Sequence, residues 1–356
     1  MKICWWTPFP TVNESALVAA LRSSGADVVV CYFRKYDAYR KMIGWRERPL
    51  ESHEFFAETI RSARRQIPDF IDRVQLVPSF SDGISWRLVL WCIAFRHPWF
   101  AFVERSVCRL RSWPVRKAFA MAVNRYALKL FCIGNLAIEQ FAALGVRRRK
   151  LEWSAYAMPP LRDDALCVRK IHEGVRFAFV GALMEHKAVD VLAAAFSAVR
   201  AVHKDASLKI VGTGPLRYLF AGMDGVEMFG VVAPDAVAGA VSDCDVIVLP
   251  SRRDAWGIAL VEGAAMGMAM IAGDRVGASE LVSDTPRNGF VVKSGDVEAL
   301  TEAMMRYADA PELAAEHGAN ARLVMRKVGA PAIADRMLKA IGESLAERGG
   351  SNGQGV

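Results

Sequence analysis

The sequence predicts an α/β protein built from two doubly wound parallel sheets, and three observations carry the prediction. Short runs of β-branched and aromatic residues alternate with helical stretches along nearly the whole chain. Several runs are apolar throughout, as in Val246-Ile247-Val248-Leu249, the pattern of strands covered on both faces. A chain of 356 residues also exceeds one ordinary core, fitting two domains of about 150–200 residues each.

Taken in order, the expected strands are Lys2–Trp6, Asp27–Tyr32, Trp99–Val103 and Leu128–Gly134 in the first half. Those of the second half are Arg176–Val180, Leu208–Val211, Val226–Phe229, Val246–Leu249, Met268–Ala272 and Phe290–Val292. Expected helices include Glu14–Ser24, Ser52–Gln66, Asn135–Leu144 and Asp190–Arg200; around the last, Val189, Leu192, Phe196 and Val199 form one apolar stripe. The strand pattern restarts after Met158-Pro159-Pro160-Leu161-Arg162-Asp163-Asp164, which reads as an interdomain linker. The expected domains are 1–167 and 168–330, followed by a crossover helix over 331–348 and a disordered glycine-rich tail over 349–356.

Hydrophobic residues make up 53% of the chain and charged residues 24%, which excludes a disordered protein. Seven scattered cysteines form no C-x-x-C pair, so they read as buried free thiols of a reducing compartment. No uninterrupted apolar run of ~18–20 residues is present, and the chain is expected in the cytoplasm, at most peripheral at the inner face of a membrane. The net charge of +8 is concentrated. Between Trp86 and Phe119 lie Arg87, Arg96, Arg105, Arg109, Arg111, Arg116 and Lys117 against the single acid Glu104, with Trp86, Trp91, Trp99 and Trp113 interleaved. That mixture suits an anionic membrane surface; the competing reading is a core helix and strand with solvated arginines. No nucleic-acid module is present, so nucleic acid is not an expected partner.

Four features of the second half carry chemistry. Phe179-Val180-Gly181-Ala182-Leu183-Met184-Glu185-His186-Lys187 is a strand, a glycine turn and a lysine beside a helix start, where cation and free N–H groups can meet a diphosphate. Lys209-Ile210-Val211-Gly212-Thr213-Gly214-Pro215 ends a buried strand in a glycine turn, which permits close approach of backbone to a ligand or is simply a tight turn. From Leu249-Pro250-Ser251 the chain runs through Asp254 and Trp256-Gly257-Ile258-Ala259 to Glu262. The two acids suit two ends of one ligand, a sugar ring and a ribose diol, with Gly257 and Ile258 offering N–H groups between; the alternatives are a helix cap and a solvated face. Lastly, Gly277-Ala278-Ser279-Glu280 follows another strand.

This ordered series resembles the donor domain of family 4 glycosyltransferases (glycosyl transferases group 1), of the type that builds bacterial surface polysaccharides. The resemblance implies the GT-B fold, two Rossmann-like domains facing across a cleft, with the last helix crossing back to the first. It implies a retaining, metal-independent enzyme that moves a hexose-type sugar from a nucleotide-diphosphate sugar to a saccharide or polyprenyl-diphosphate-linked acceptor, without a cofactor. The family's E-x₇-E appears here as Asp254-x₇-Glu262. On the donor side it implies Gly181, Lys187, Gly212, Gly214, Trp256, Gly257, Ile258, Ala259 and Glu262, with Lys187 on the diphosphate and Glu262 on the ribose. Asp254 faces the sugar as a catalytic candidate. Ala182 stands where a second basic residue is common, so Lys187 is expected to carry the phosphate charge alone. Asp243-Cys244-Asp245 is a D-x-D that reads as a strand-opening structural pair, and no metal is expected.

The acceptor half is thinly marked. Glu104 is a catalytic candidate that orients the acceptor hydroxyl or touches the donor sugar, or else pairs with an arginine. Arg105 and Asn13 are acceptor-side candidates. A nucleotide-sugar epimerase and a non-catalytic sugar-nucleotide-binding protein are the competing functions.

Overall fold

The structure, a computed structural model, describes residues 1–35, 49–78, 83–105, 113–159 and 174–352. The expected linker from Pro160 to Asp164, Cys108, Cys167, Arg109, Arg111 and the tail beyond Asn352 lie outside these residues. The chain forms two compact units, one from described residues 1–159 and 328–352 and one from 174–327.

The first unit holds a seven-stranded sheet of β1 (Lys2–Thr7), β2 (Asp27–Tyr32), β3 (Glu54–Phe56), β4 (Val74–Val77), β5 (Trp99–Val103), β6 (Leu130–Ile133) and β7 (Leu151–Ser154). Their spatial order is β3-β2-β1-β4-β5-β6-β7, and every pairing is parallel. β5 is buried along its whole length, as its uninterrupted apolar sequence requires. The helix Val12–Ser23 starts at Thr11, whose side chain accepts from the Glu14 N–H.

Three strands depart from the sequence reading. β4 carries Gln75, fully buried, which interrupts the apolar pattern. Its amide is satisfied by Trp6 Nε1 at 2.8 Å and by the Phe70 and Arg73 carbonyls. The expected helix over Ser52–Gln66 is instead the edge strand β3 followed by a helix over Ile60–Gln66. Tyr32 Oη donates to Glu54 Oε1 at 2.7 Å and holds β3 on the sheet, while a Thr59–Ser62 capping box starts the shorter helix. β7 alternates polar and apolar residues at the opposite edge.

The last helix, Ala330–Asn352, packs on the helix Val12–Ser23 within the first unit. It passes through Gly349–Asn352, where a disordered tail was expected, because adding residues to a formed helix is far easier than nucleating one.

The second unit holds β8 (Arg176–Val180), β9 (Ser207–Val211), β10 (Val226–Gly230), β11 (Val246–Leu249), β12 (Ala269–Gly273) and β13 (Gly289–Val292). These form a parallel sheet in the order β10-β9-β8-β11-β12-β13. β11 and β12 are buried at every residue. Both sheets are thus doubly wound, with chain direction across the sheet reversing between β1 and β4 and between β8 and β11.

Candidate functional site

In a doubly wound sheet, the loops leaving the two strands at the reversal diverge, opening a crevice at the strands' carboxyl ends. In the second unit those strands are β8 and β11, and the residues singled out from the sequence follow both. After β8 the chain passes Gly181 and a 3₁₀ turn, Glu185–Lys187, before the helix Val189–Val202. After β11 it runs through Asp254 to Gly257, whose φ of 92° admits glycine readily, and into the helix Ile258–Ala265. The first N–H groups of that helix, including those of Ile258 and Ala259, have no intrahelical acceptor and point out of its end.

Lys187 Nζ and Asp254 Oδ2 meet at 2.5 Å, with side chains only 20% and 14% exposed. The loops carrying them are tied at two further points. Arg253 N donates to the His186 carbonyl, and Arg252 makes a bidentate pair with Asp190 at 2.7 and 2.6 Å. On its other side the Asp254 loop runs beside the segment after β12. Asp254 N donates to Arg275 O, Gly277 N to Asp254 O, and Ala278 N to Trp256 O. A side chain at Gly277 would sit 2.2 Å from the Ala255 carbonyl, so glycine there is what lets these segments lie together. Asp254 is therefore held by its surroundings from two sides.

Glu262 lies on the helix Ile258–Ala265 and is half-buried. Burial raises its pKa to about 7. Among the described residues its carboxylate meets neither a cation nor a hydrogen-bond donor.

Three of the donor-side residues have packing roles of their own, beginning with Gly212 and Gly214. A Cβ at Gly212 would lie 2.0 Å from Gly181 O, and one at Gly214 would lie 2.4 Å from Leu183 O. Their small size lets the turns after β8 and β9 interlock, through Gly181 N to Val211 O and Leu183 N to Thr213 O. Trp256 is 2% exposed and packs inside the unit. Its indole N–H has no partner among the described residues.

Asp243 and Asp245 sit at the amino end of β11, the opposite edge of the sheet. Asp243 takes Lys209 Nζ and Arg176 Nη1, each at 2.7 Å, and Asp245 accepts from Arg176 N. Among the described residues no cluster of His, Cys, Asp and Glu has the arrangement to hold a metal.

In the first unit the carboxyl edge gathers a different set. Glu104 follows the last residue of β5, and its Oε2 accepts from Tyr156 Oη at 3.0 Å. Asn13 Nδ2 donates to the Ala157 carbonyl at 3.0 Å, which ties the first turn of the helix Val12–Ser23 to the loop after β7. Arg105 adjoins Glu104 and is half-buried. The sequence reading passed over Glu14. Thr7 and Thr11 hydroxyls donate to its two oxygens at 2.8 and 2.9 Å. Burial pushes its pKa up to about 7, with the Glu104 charge adding to the rise and the threonine hydrogen bonds opposing it. Tyr156 is pushed upward by burial and then by both carboxylates. The available signal was Thr11-x-x-Glu14, a capping-box spacing at the mouth of β1.

Three of the interleaved tryptophans make packing contacts within the first unit. Trp99 is fully buried in β5, Trp86 packs edge-on against Phe119, and Trp91 packs against Phe70, Phe95 and His97. Among the described residues no helix is long and apolar enough to cross a membrane.

Two parallel doubly wound units define a protein of the GT-B fold. The chain superposes on the crystal structure of Anabaena Alr3699/HepE in complex with UDP with a TM-score of 0.73, covering 96% of this chain and 100% of that one at 14% identity. Residues 174–310 match the family described as glycosyl transferases group 1, and the second unit is a domain of that family. Curated relatives include the GDP-mannose-dependent monoacylated alpha-(1-6)-phosphatidylinositol monomannoside mannosyltransferase of Corynebacterium glutamicum, 32% identical over 39% of each chain. The lipopolysaccharide core biosynthesis mannosyltransferase LpcC of Rhizobium leguminosarum is 39% identical over 27% of this chain and 26% of its own. The chain thus spans about two fifths or less of the length of these relatives.

Proposed function

We propose that the protein is a glycosyltransferase that moves a hexose-type sugar from a nucleotide-diphosphate sugar to a saccharide or polyprenyl-diphosphate-linked saccharide, in surface-polysaccharide assembly. The observation that carries this reading is the carboxyl edge at β8 and β11. There Lys187 and Asp254 pair on the loops before the helix Ile258–Ala265, and an unpartnered Glu262 stands in the second turn of that helix. Each piece fits a part of one ligand. Lys187 and the helix-end N–H groups match a diphosphate, Glu262 a ribose diol, and Asp254 the hydroxyls of the transferred sugar. On binding, the diphosphate would share Lys187 with Asp254, placing the carboxylate beside the sugar.

Transfer is proposed to be retaining and metal-independent. The arrangement of Asp243 supports the second point, since Lys209 and Arg176 already neutralise it at the far edge of the sheet. Glu104 and Tyr156 are proposed to meet the acceptor hydroxyl, with Arg105 next to Glu104 in sequence and Asn13 bonded to the Ala157 carbonyl beside Tyr156. The names of the relatives, a GDP-mannose-dependent mannosyltransferase and a UDP complex, make GDP- and UDP-sugars the first donors to test.

The test is a thermal-shift screen against UDP-, GDP- and dTDP-sugars, followed by transfer to lipid-linked saccharides with the product's anomeric configuration read by NMR. One donor should raise the melting point, because a ligand that binds only the folded state stabilises it. If no sugar nucleotide shifts the melting point at millimolar concentration, the assignment fails. Binding without transfer to any acceptor would leave a sugar-nucleotide-binding protein.

A further inference from the structure

The first unit contains a cavity of about 1310 Å³ that the reading above does not use. Its walls come from the residues just before β5, β6 and β7 and from the end of the last helix. It therefore lies at the amino edge of the sheet, opposite the edge that holds Glu14, Glu104 and Tyr156. Six cations line it, Arg96, Arg125, Lys129, Arg149, Lys150 and Arg348, against the carboxylates of Glu152 and Glu347.

Little inside the cavity offsets that excess. Lys129 pairs with Glu152 at 2.8 Å, Lys150 Nζ donates to the Ala127 carbonyl, and Arg348 donates to the Arg96 carbonyl. Among the described residues, Arg96, Arg125 and Arg149 have no carboxylate within salt-bridge distance. The accumulated charge is felt locally. Burial and then the charges of Arg149 and Arg147 hold the Lys150 ammonium below its usual range, and burial and then Arg348 hold His97 below its own. A concave wall of like charges focuses a field that a multivalent anion relieves, and arginine forks match phosphate oxygens in pairs.

We propose that this cavity is a second anion site, separate from the donor edge, that takes a phosphate-bearing ligand. The phosphate has two chemical sources, a lipid headgroup or a soluble polyphosphate. Exposed apolar side chains stand beside the charges. Phe95 adjoins Arg96 and is 68% exposed, Met121 lies one turn from Arg125 and is 69% exposed, and Leu90 is one turn from the lining residue Ile93.

The experiment uses the full chain carrying Lys187→Ala, which removes the donor-site cation, with and without Arg125→Gln and Arg149→Gln. Both arginines are exposed, and unchanged melting points confirm that the variants fold. Inorganic tripolyphosphate binding is measured by calorimetry, and sedimentation is measured with vesicles of phosphatidylglycerol in phosphatidylcholine. The Lys187→Ala chain should bind at least one of these probes. The two added substitutions should weaken that binding on the order of 30-fold. Loss confined to tripolyphosphate identifies a soluble ligand, and loss confined to vesicles identifies a headgroup. Unchanged binding of both probes after the arginine substitutions, or no binding of either by the Lys187→Ala chain, overturns the proposal. Wild-type binding of sugar nucleotides reads the donor assignment separately.

Discussion

Replacing Glu262 with Gln tests the proposed donor edge through two independent readouts. The carboxyl has a folded-state pKa of about 7 against an ordinary 4.5, and burial is the cause. A carboxyl with a raised pKa favours folding at low pH, where it is neutral, and that stability is lost as pH rises from about 4.5 through 7. The shift is roughly 2.5 units, so at about 1.4 kcal/mol per unit the ionised carboxylate destabilises the folded domain by about 3 kcal/mol at pH 8. Glutamine has nearly the same shape and does not titrate. Relative to wild type, Glu262→Gln should therefore gain about 3 kcal/mol between pH 4.5 and pH 8, visible as roughly 6–12 °C in the domain's melting temperature. Donor binding should move the opposite way. Ribose hydroxyls donating to the carboxylate favour its ionised form, so wild-type affinity should rise as pH increases through 7. The variant should bind more weakly and lose that dependence. Scanning calorimetry from pH 5 to pH 8 and donor titrations over the same range provide both measurements. Parallel melting curves for wild type and variant would refute the burial argument. Wild-type donor affinity in the variant would refute the role given to Glu262.

Two further substitutions probe how the edge is held. Lys187→Ala removes the cation proposed for the diphosphate and strands a largely buried Asp254 carboxylate. Donor affinity should fall at least about tenfold and stability by roughly 1–3 kcal/mol, with calorimetry and denaturant melts as the checks; a donor dissociation constant equal to wild type would remove Lys187 from the site. Gly212→Ala forces a methyl to within 2.0 Å of the Gly181 carbonyl at a φ of +143°. The turns after β8 and β9 should separate, with a loss of roughly 1–3 kcal/mol and weaker donor binding, and a stable variant with intact binding would show that the two turns do not depend on each other.

Most of the second unit was legible in the sequence because its strands are short, apolar and closed by glycine turns. Val246–Leu249 begins and ends in the structure where its composition says it should. The first unit was less so. β4 hides behind Gln75, whose burial makes sense only once Trp6 of the neighbouring strand is there to satisfy it. β3 has three residues and no pattern of its own, and its place depends on Tyr32 reaching Glu54. The cluster of Glu14, Glu104 and Tyr156 joins residues far apart in the chain, so no local spacing could announce it.

The proposed donor edge shows the same division. Sequence by itself determined which residue types stand there, since Lys187, Asp254, Gly257 and Glu262 each follow a strand in a fixed local order. It also determined the doubly wound sheets, because fully apolar strands joined by helices can be buried in few other ways. Only the tertiary structure decided that Lys187 and Asp254 pair, that Gly212 and Gly214 fit loop against loop, and that Trp256 turns inward. These outcomes depend on distances between segments that meet through the order of strands in the sheet. Local sequence sets the conformation of each segment, while strand order sets its neighbours.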